Sequence, residues 1–380
     1  MSARRILWHD GYASNLNNVW KTKTTWKSYY EEIIRYAKAY DYDAIGLTLE
    51  GKESGIMQEL DKATLDSKDL GILPSNDLAL ERINDFITDA EEANLQVALN
   101  VFQSDVIIPS DSQSQTAPID QFVDFISQLK NNNQPTNQPL KKPLIIGVDS
   151  ETNGLKKTST TKDPVTGLTL SVSDYTKAWT TALDNAKVDY DTFAVFGGSA
   201  PIKEWYDPSD PNYIEQFVNA VEYYSLDGWY PEKNINGVFN DDIANLKPGD
   251  PGQALKVIQN WMNPQWLQDN KLDPEDAAPK PSYITNSAGE KLYNQIMPAF
   301  SIGTGNPNNT LGKHSNGKSI GPSVFGNWDP EQFIKFLDAW ELAYPETADI
   351  FVYQADQLNT SWVPNAIAPS WGSDLLNTIF

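Results

Sequence analysis

The chain has 380 residues, of which 29 are Lys or Arg and 51 are Asp or Glu, giving a formal net charge of −22. Such acidity argues against nucleic acid or an anionic membrane as a partner, because binding either relies on basic patches, and most of it reads as a solvated surface. Cysteine is absent and His9 and His314 are the only histidines, which excludes disulfides, thiolate nucleophiles, Cys-ligated metals and multi-histidine metal sites.

Taken in chain order, the sequence predicts eight strands, over 5–11, 44–50, 96–102, 144–151, 192–198, 226–230, 295–302 and 350–355. Most are near-continuous apolar runs, the pattern of parallel strands covered on both faces. Between them, apolar residues recur at helical spacing over 26–39 (Tyr29, Ile33, Ile34, Ala37), 80–93 (Ile83, Phe86, Ile87, Ala90) and 119–129 (Phe122, Val123, Phe125, Ile126). Further helices are predicted over 174–186, 213–224, 253–261 and 330–343. Ser173 or Asp174 is a candidate cap for the helix at 174, and Asp329-Pro330-Glu331 reads as an N-cap, a proline at N1 and an acid in the first turn.

Strand–helix alternation on this scale predicts an α/β fold, a single (β/α)8 TIM barrel with long βα loops spanning 1–380, with a doubly wound sheet as the alternative. The Asn-, Gln- and Pro-rich stretch 131–142 reads as a connector into the fourth strand, and 156–170 as a loop leaving the face where that strand ends. The region around 236–291, with Trp261 and Trp266, reads as an elaborated loop forming a lid or wall. No run approaches the ~18 apolar residues of a membrane span, and the first residues hold no apolar stretch of signal-peptide length. The expectation is a soluble protein, either cytoplasmic, exported without a classical signal, or in mature form. The sequence leaves its oligomeric state open.

The strands end in acids: Ile6-Leu7-Trp8-His9-Asp10, Leu47-Thr48-Leu49-Glu50 and Ile146-Gly147-Val148-Asp149-Ser150-Glu151. In a barrel every strand C-terminus opens on one face, where acids tend to be catalytic. Asp149 and Glu151 are the sharpest pair, because residues two apart on a strand face the same way. Two neighbouring carboxylates push their titrations apart, leaving one as proton donor and the other ionised, which is what glycosidases need. The plain alternative is a solvated strand end. Asp10, Glu50 and Asp356 are further catalytic candidates, and Asp105 and Glu232 also lie at or beyond strand ends. His9 reads equally as a core or a site histidine.

Aromatic residues are the second signal. Trp8, Trp229, Tyr230, Tyr353, Trp362 and Trp371 lie near strand ends or in the loops beyond. Sugars present C–H faces that stack on such rings, and the first five of these are candidate substrate-binding residues, although core and rim packing accounts for most tryptophans. Ser301-Ile302-Gly303-Thr304-Gly305-Asn306 is a weak phosphate candidate that lacks the third glycine. Residues 207–212 and 240–242 have no calcium-loop spacing, and 308–310 and 359–361 are glycosylation sequons only in a protein secreted by a eukaryote. No cofactor and no metal are expected.

Several segments resemble barrel glycoside hydrolases of the α-1,3-glucanase (mutanase) and endo-α-mannosidase type. They are Ile33-Ile34-Arg35-Tyr36-Ala37-Lys38-Ala39 with Tyr42-Asp43-Ala44-Ile45-Gly46-Leu47, then Lys142-Pro143-Leu144-Ile145 running to Glu151, then Asp227-Gly228-Trp229-Tyr230-Pro231. Ile296-Met297-Pro298-Ala299-Phe300-Ser301, Trp340 to Pro345, and Asp349-Ile350-Phe351-Val352-Tyr353 complete the set. The Asp149-x-Glu151 pair also resembles the fourth strand of chitinase-type and lysozyme-type barrels, with Gly147 where those carry a further Asp. The resemblance implies a TIM barrel acting on a carbohydrate, with Glu151 as acid/base. Those families carry an acidic motif after the eighth strand, where this chain has Gln354-Ala355-Asp356-Gln357-Leu358-Asn359 and no glutamate. That departure keeps open a barrel that binds carbohydrate or serves a structural assembly without catalysis. A barrel acting on a phosphorylated substrate is a third option.

Overall fold

The computed structural model describes residues 2–9, 23–50, 76–102, 117–129, 140–149, 172–196, 220–225, 250–271, 274, 277, 280–285, 291–301 and 330–353. In chain order these form β1 (Arg4–His9), α1 (Lys23–Ala39), β2 (Ala44–Glu50), α2 (Asn76–Glu92), β3 (Gln96–Phe102), α3 (Ala117–Gln128), β4 (Leu144–Asp149), α4 (Val172–Asn185), β5 (Tyr190–Phe196) and β6 (Ala220–Ser225). Then come α5 (Pro251–Trp261), α6 (Pro264–Asp269), β7 (Ser282–Thr285), β8 (Lys291–Ser301), α7 (Pro330–Ala343) and β9 (Asp349–Tyr353).

The strands form one sheet in the order β6-β5-β4-β3-β2-β1-β9-β8-β7, and β6 also pairs with β8. All pairings are parallel except that of β7 with β8. The β6–β8 pairing, in register from Val221 with Gln295 to Ser225 with Ala299, returns the sheet to its own far side. The result is an α/β barrel-like fold.

Period two sorts each strand into an interior and a helix-facing set. Ile6, Trp8, Ala44, Ala98, Ile145, Ala194, Met297, Ala299 and Phe351 form one buried interior cluster. The alternate residues Leu7, Ile45, Leu99, Ile146, Phe193, Phe300 and Val352 are also fully buried, beneath the helices. Phe300 meets Phe336 and Trp340 of α7 edge-on at 5.1 and 5.0 Å, and Phe193 lies 6.3 Å from Trp179 of α4. Burial on both faces is why the strand sequences run apolar without alternating.

Three turns from helix to strand repeat one device. The amides of Tyr42, Leu95 and Val188 donate to the carbonyls of Ala37, Ala90 and Leu183, five residues back. The residue before each, Asp41, Asn94 or Lys187, has φ of 54°, 63° or 56°. This is the Schellman ending, in which a left-handed residue satisfies the orphan carbonyls and an apolar residue folds back on the helix.

Between α1 and α2, the indole of Trp26 donates to the Arg82 carbonyl at 2.7 Å and the Tyr30 hydroxyl to Asp89 at 2.8 Å. Burial, aided by the Asp89 carboxylate, holds the Tyr30 phenol far above its usual range. Burial does the same to Tyr36, Tyr42 and Tyr190, the last helped by Asp184. A group whose titration is raised by folding stabilises fully below its unfolded pKa, and that contribution is lost as pH rises above it. Stability is therefore expected to fall from about pH 10 upward, by about 1.4 kcal/mol per pH unit for each phenol kept protonated. Phenolate absorbance and circular dichroism followed together should rise and fall in one transition. Ionisation of all the tyrosines near pH 10, with the helices intact, would contradict this.

Gly46 stands under the ring of Trp8. A methyl placed on it would meet Trp8 Cε3 at 2.8 Å and the Ala98 Cβ at 3.2 Å. Gly46→Ala is expected to cost about 1–3 kcal/mol by overpacking. Much of that loss should return in a Gly46→Ala/Trp8→Leu double variant, measured by urea unfolding.

One expectation is corrected. Residues 220–224, read as the end of a helix over 213–224, are β6, because hydrogen bonding to strands on both sides overrides a short helical spacing; the strand expected at 226–230 lies outside the described residues. Within the 236–291 region the helix predicted over 253–261 is α5, and α6 and β7 follow it. Asp250 caps α5 by accepting from the Gln253 amide, Asn263 caps α6 by accepting from Gln265 and Trp266, and a proline follows each cap. α5 packs beside α7.

Candidate functional site

The strand exits carry the candidate residues. β2 ends at Glu50, β4 at Asp149 and β9 at Tyr353. Glu50 pairs in register with Phe102, Phe102 with Asp149, and Asp149 with Phe196, making one hydrogen-bonded row across four adjacent strands. Counting by twos back along the strands, Glu50 falls on the phase of Gly46 and Ala44, and Asp149 on that of Ile145. Ala44 and Ile145 belong to the interior cluster, so both acids occupy interior register positions at the C-terminal end of the sheet. Adjacent strands lie about 4.8 Å apart, so the two backbone positions, with β3 between them, are about 10 Å apart.

Trp8 is placed elsewhere than a sugar platform requires. It is 2% exposed within the interior cluster, its ring 5.3 Å from that of Phe351. It lies deep because β1 brings it into register with Gly46, well before the end of β2. His9 pairs with Leu47, on the helix-facing phase of Leu7. Asp10, Glu151, Asp356, Trp229, Tyr230, Trp362 and Trp371 lie outside the described residues, as do Asp105 and Glu232. Among the described residues no group of three or more His, Asp or Glu is arranged to hold a metal ion, and no helix is long and apolar enough to cross a membrane.

The opposite end of the sheet holds a polar cluster that the sequence reading missed. Arg4 donates to Asp349 through Nε at 2.7 Å and Nη2 at 3.1 Å, to Gln96 at 2.9 Å and to Thr192 at 2.7 Å. It also reaches Asp191 at 3.0 Å, and Gln96 Nε2 donates to Asp191 and to the Pro143 carbonyl. Burial holds the Asp349 carboxyl above the usual carboxylate range, even though the Arg4 guanidinium pulls it down. Arg4, Gln96, Thr192 and Asp349 each stand two residues before an interior apolar residue: Ile6, Ala98, Ala194 and Phe351. A polar residue opening the interior phase of several strands is the signal that reveals such a plug. At the N-terminal face of a barrel, chemistry of this kind serves stability.

No protein-family model matches the chain, and no curated protein matches it. Solved structures do. An endo-fucoidan hydrolase of glycoside hydrolase family 107 is similar over 95% of this chain and 88% of its own, at 12% identity and a TM-score of 0.39. Thermotoga maritima Cel5A in complex with cellobiose is similar over 98% and 95%, at 8% identity and a TM-score of 0.45. The β-mannanase of the blue mussel Mytilus edulis is similar over 95% and 88%, at 8% identity and a TM-score of 0.43. Likeness of this degree assigns neither family nor substrate.

Proposed function

We propose that this chain is a single (β/α)8 barrel that hydrolyses glycosidic bonds in a polysaccharide or glycan. The observation that supports the reading is the register row Glu50–Phe102–Asp149, in which two acids end separate strands at one end of the sheet. In this reading Glu151, two residues beyond Asp149, is the acid/base, and Asp149 is its partner or the stabiliser of positive charge developing on the sugar. Asp10, Glu50 and Asp356 are second-tier acids. Trp229, Tyr230, Tyr353 and Trp362 supply stacking faces, and the chemistry needs no cofactor.

The second reading is a barrel that binds carbohydrate, or serves an assembly, without cleaving. It is favoured by the sequence after β9, Gln354-Ala355-Asp356-Gln357, which lacks a glutamate. A glycan array followed by a reducing-sugar assay on neutral polysaccharides separates the two. Turnover by the unaltered protein supports hydrolysis. Binding without turnover supports the second reading, and neither binding nor turnover defeats the carbohydrate reading altogether.

A further inference from the structure

Trp8 shares its buried cluster with four alanines, Ala44, Ala98, Ala194 and Ala299, as well as Ile6, Ile145, Met297 and Phe351, and Gly46 lies directly against its ring. A barrel interior must be filled to near-crystalline density, and the indole is the largest side chain in this cluster of four alanines, two isoleucines, a methionine and a phenylalanine. Two of its contacts lie on opposite sides. β1 runs between β2 and β9, and the Trp8 ring touches Gly46 of β2 on one side and lies 5.3 Å from Phe351 of β9 on the other. Four residues beyond Gly46, β2 ends at Glu50; two residues beyond Phe351, β9 ends at Tyr353.

We infer that Trp8 is a positioning residue: its indole, wedged between Gly46 and Phe351, sets the spacing of the strand ends that carry Glu50 and Tyr353, and it makes no contact with sugar. Its effect on catalysis rests on the hydrolase reading, whereas its effect on geometry does not.

Because the chain has no cysteine, Glu50→Cys and Tyr353→Cys together create a unique pair for nitroxide labels. Dipolar broadening between the labels should report one narrow distance with Trp8 present and a wider spread in Trp8→Ala. Added indole should fill the cavity and narrow the spread again, as apolar cavities accept apolar ligands. Trp8→Phe should fall between, and it carries the test if Trp8→Ala does not fold. An unchanged distance in a cooperatively folding variant overturns the inference. In the unlabelled protein, Trp8→Phe should lower kcat about tenfold to a hundredfold, the scale of an ångström-sized misplacement, with KM little changed. A rise in KM at constant kcat would instead mark Trp8 as a sugar contact and overturn the role assigned here. An unaltered protein without turnover defeats the hydrolase reading while the dipolar result still decides the geometry.

Discussion

Glu151→Gln is expected to lower kcat by about 10²–10⁴-fold, the usual worth of a positioned general acid or base, while glycan binding stays within a few-fold of its original value. Glutamine keeps the shape and the hydrogen-bonding reach of glutamate and removes only its capacity to give and take a proton. A loss confined to kcat is therefore the signature of an interaction made in the transition state. Asp149→Asn should also impair turnover, and it should shift the acidic limb of the pH–rate profile, because a neighbouring carboxylate governs when its partner ionises. Equal turnover in Glu151→Gln and the unaltered protein would remove Glu151 from the mechanism and pass the role to Glu50, Asp10 or Asp356.

The largest effect on stability is expected at the other end of the sheet. Arg4→Met leaves Asp349, 5% exposed, without the guanidinium that grips both of its oxygens. Removing one partner of a buried pair costs about 3–5 kcal/mol, which for a chain of this size is roughly 4–6 °C in Tm. The contact with Asp191 adds little, since that carboxylate is 39% exposed and well screened. Burial already raises the Asp349 titration, and loss of Arg4 raises it further. A carboxyl raised by folding stabilises below its unfolded pKa and ceases to do so as pH climbs through the folded value. The deficit of Arg4→Met should accordingly be largest at neutral pH and shrink on acidification. Arg4→Met/Asp349→Asn should recover much of the loss, since no buried charge is then left unpaired. A deficit independent of pH and untouched by the second substitution would show that Arg4 acts through packing alone.

The parts of this fold that were legible are those where one physical rule dominates. β2 and β3 lie where their apolar runs predict, at 44–50 and 96–102, and α7 begins at the proline expected to open it. β6 was illegible because Val221, Tyr223 and the intervening Glu222 carry no continuous apolar run, and Phe217, Val221 and Tyr224 sit at helical spacing; only pairing with β5 and β8 makes it a strand. The α5 and α6 starts were legible in principle. Asp250-Pro251 and Asn263-Pro264 repeat the cap-and-proline pattern that marked the start of α7 at 329–330; helical spacing gave α5 over 253–261, two residues short of its proline, whereas α6 has only six residues, too few to show a period. For the site, counting by twos within β2 and β4 carries from Ala44 to Glu50 and from Ile145 to Asp149. The same alternation carried Trp8 inward, and its depth depended on the stagger of β1 against β2, which no single-strand pattern encodes. The Arg4 plug was hidden for a similar reason: its members come from residues 4, 96, 191, 192 and 349, and only closure of the sheet brings them together.

Hydrolysis by this chain requires the carboxyl groups of Asp149 and Glu151 to share one site. A crystal structure with a bound oligosaccharide or sugar-like inhibitor measures this. The expected result is both carboxyls flanking the same glycosidic position, about 5–5.5 Å apart for a retaining enzyme or about 6.5–9.5 Å for an inverting one. Carboxyls turned to opposite rims, or each locked in its own salt bridge away from the sugar, would contradict it.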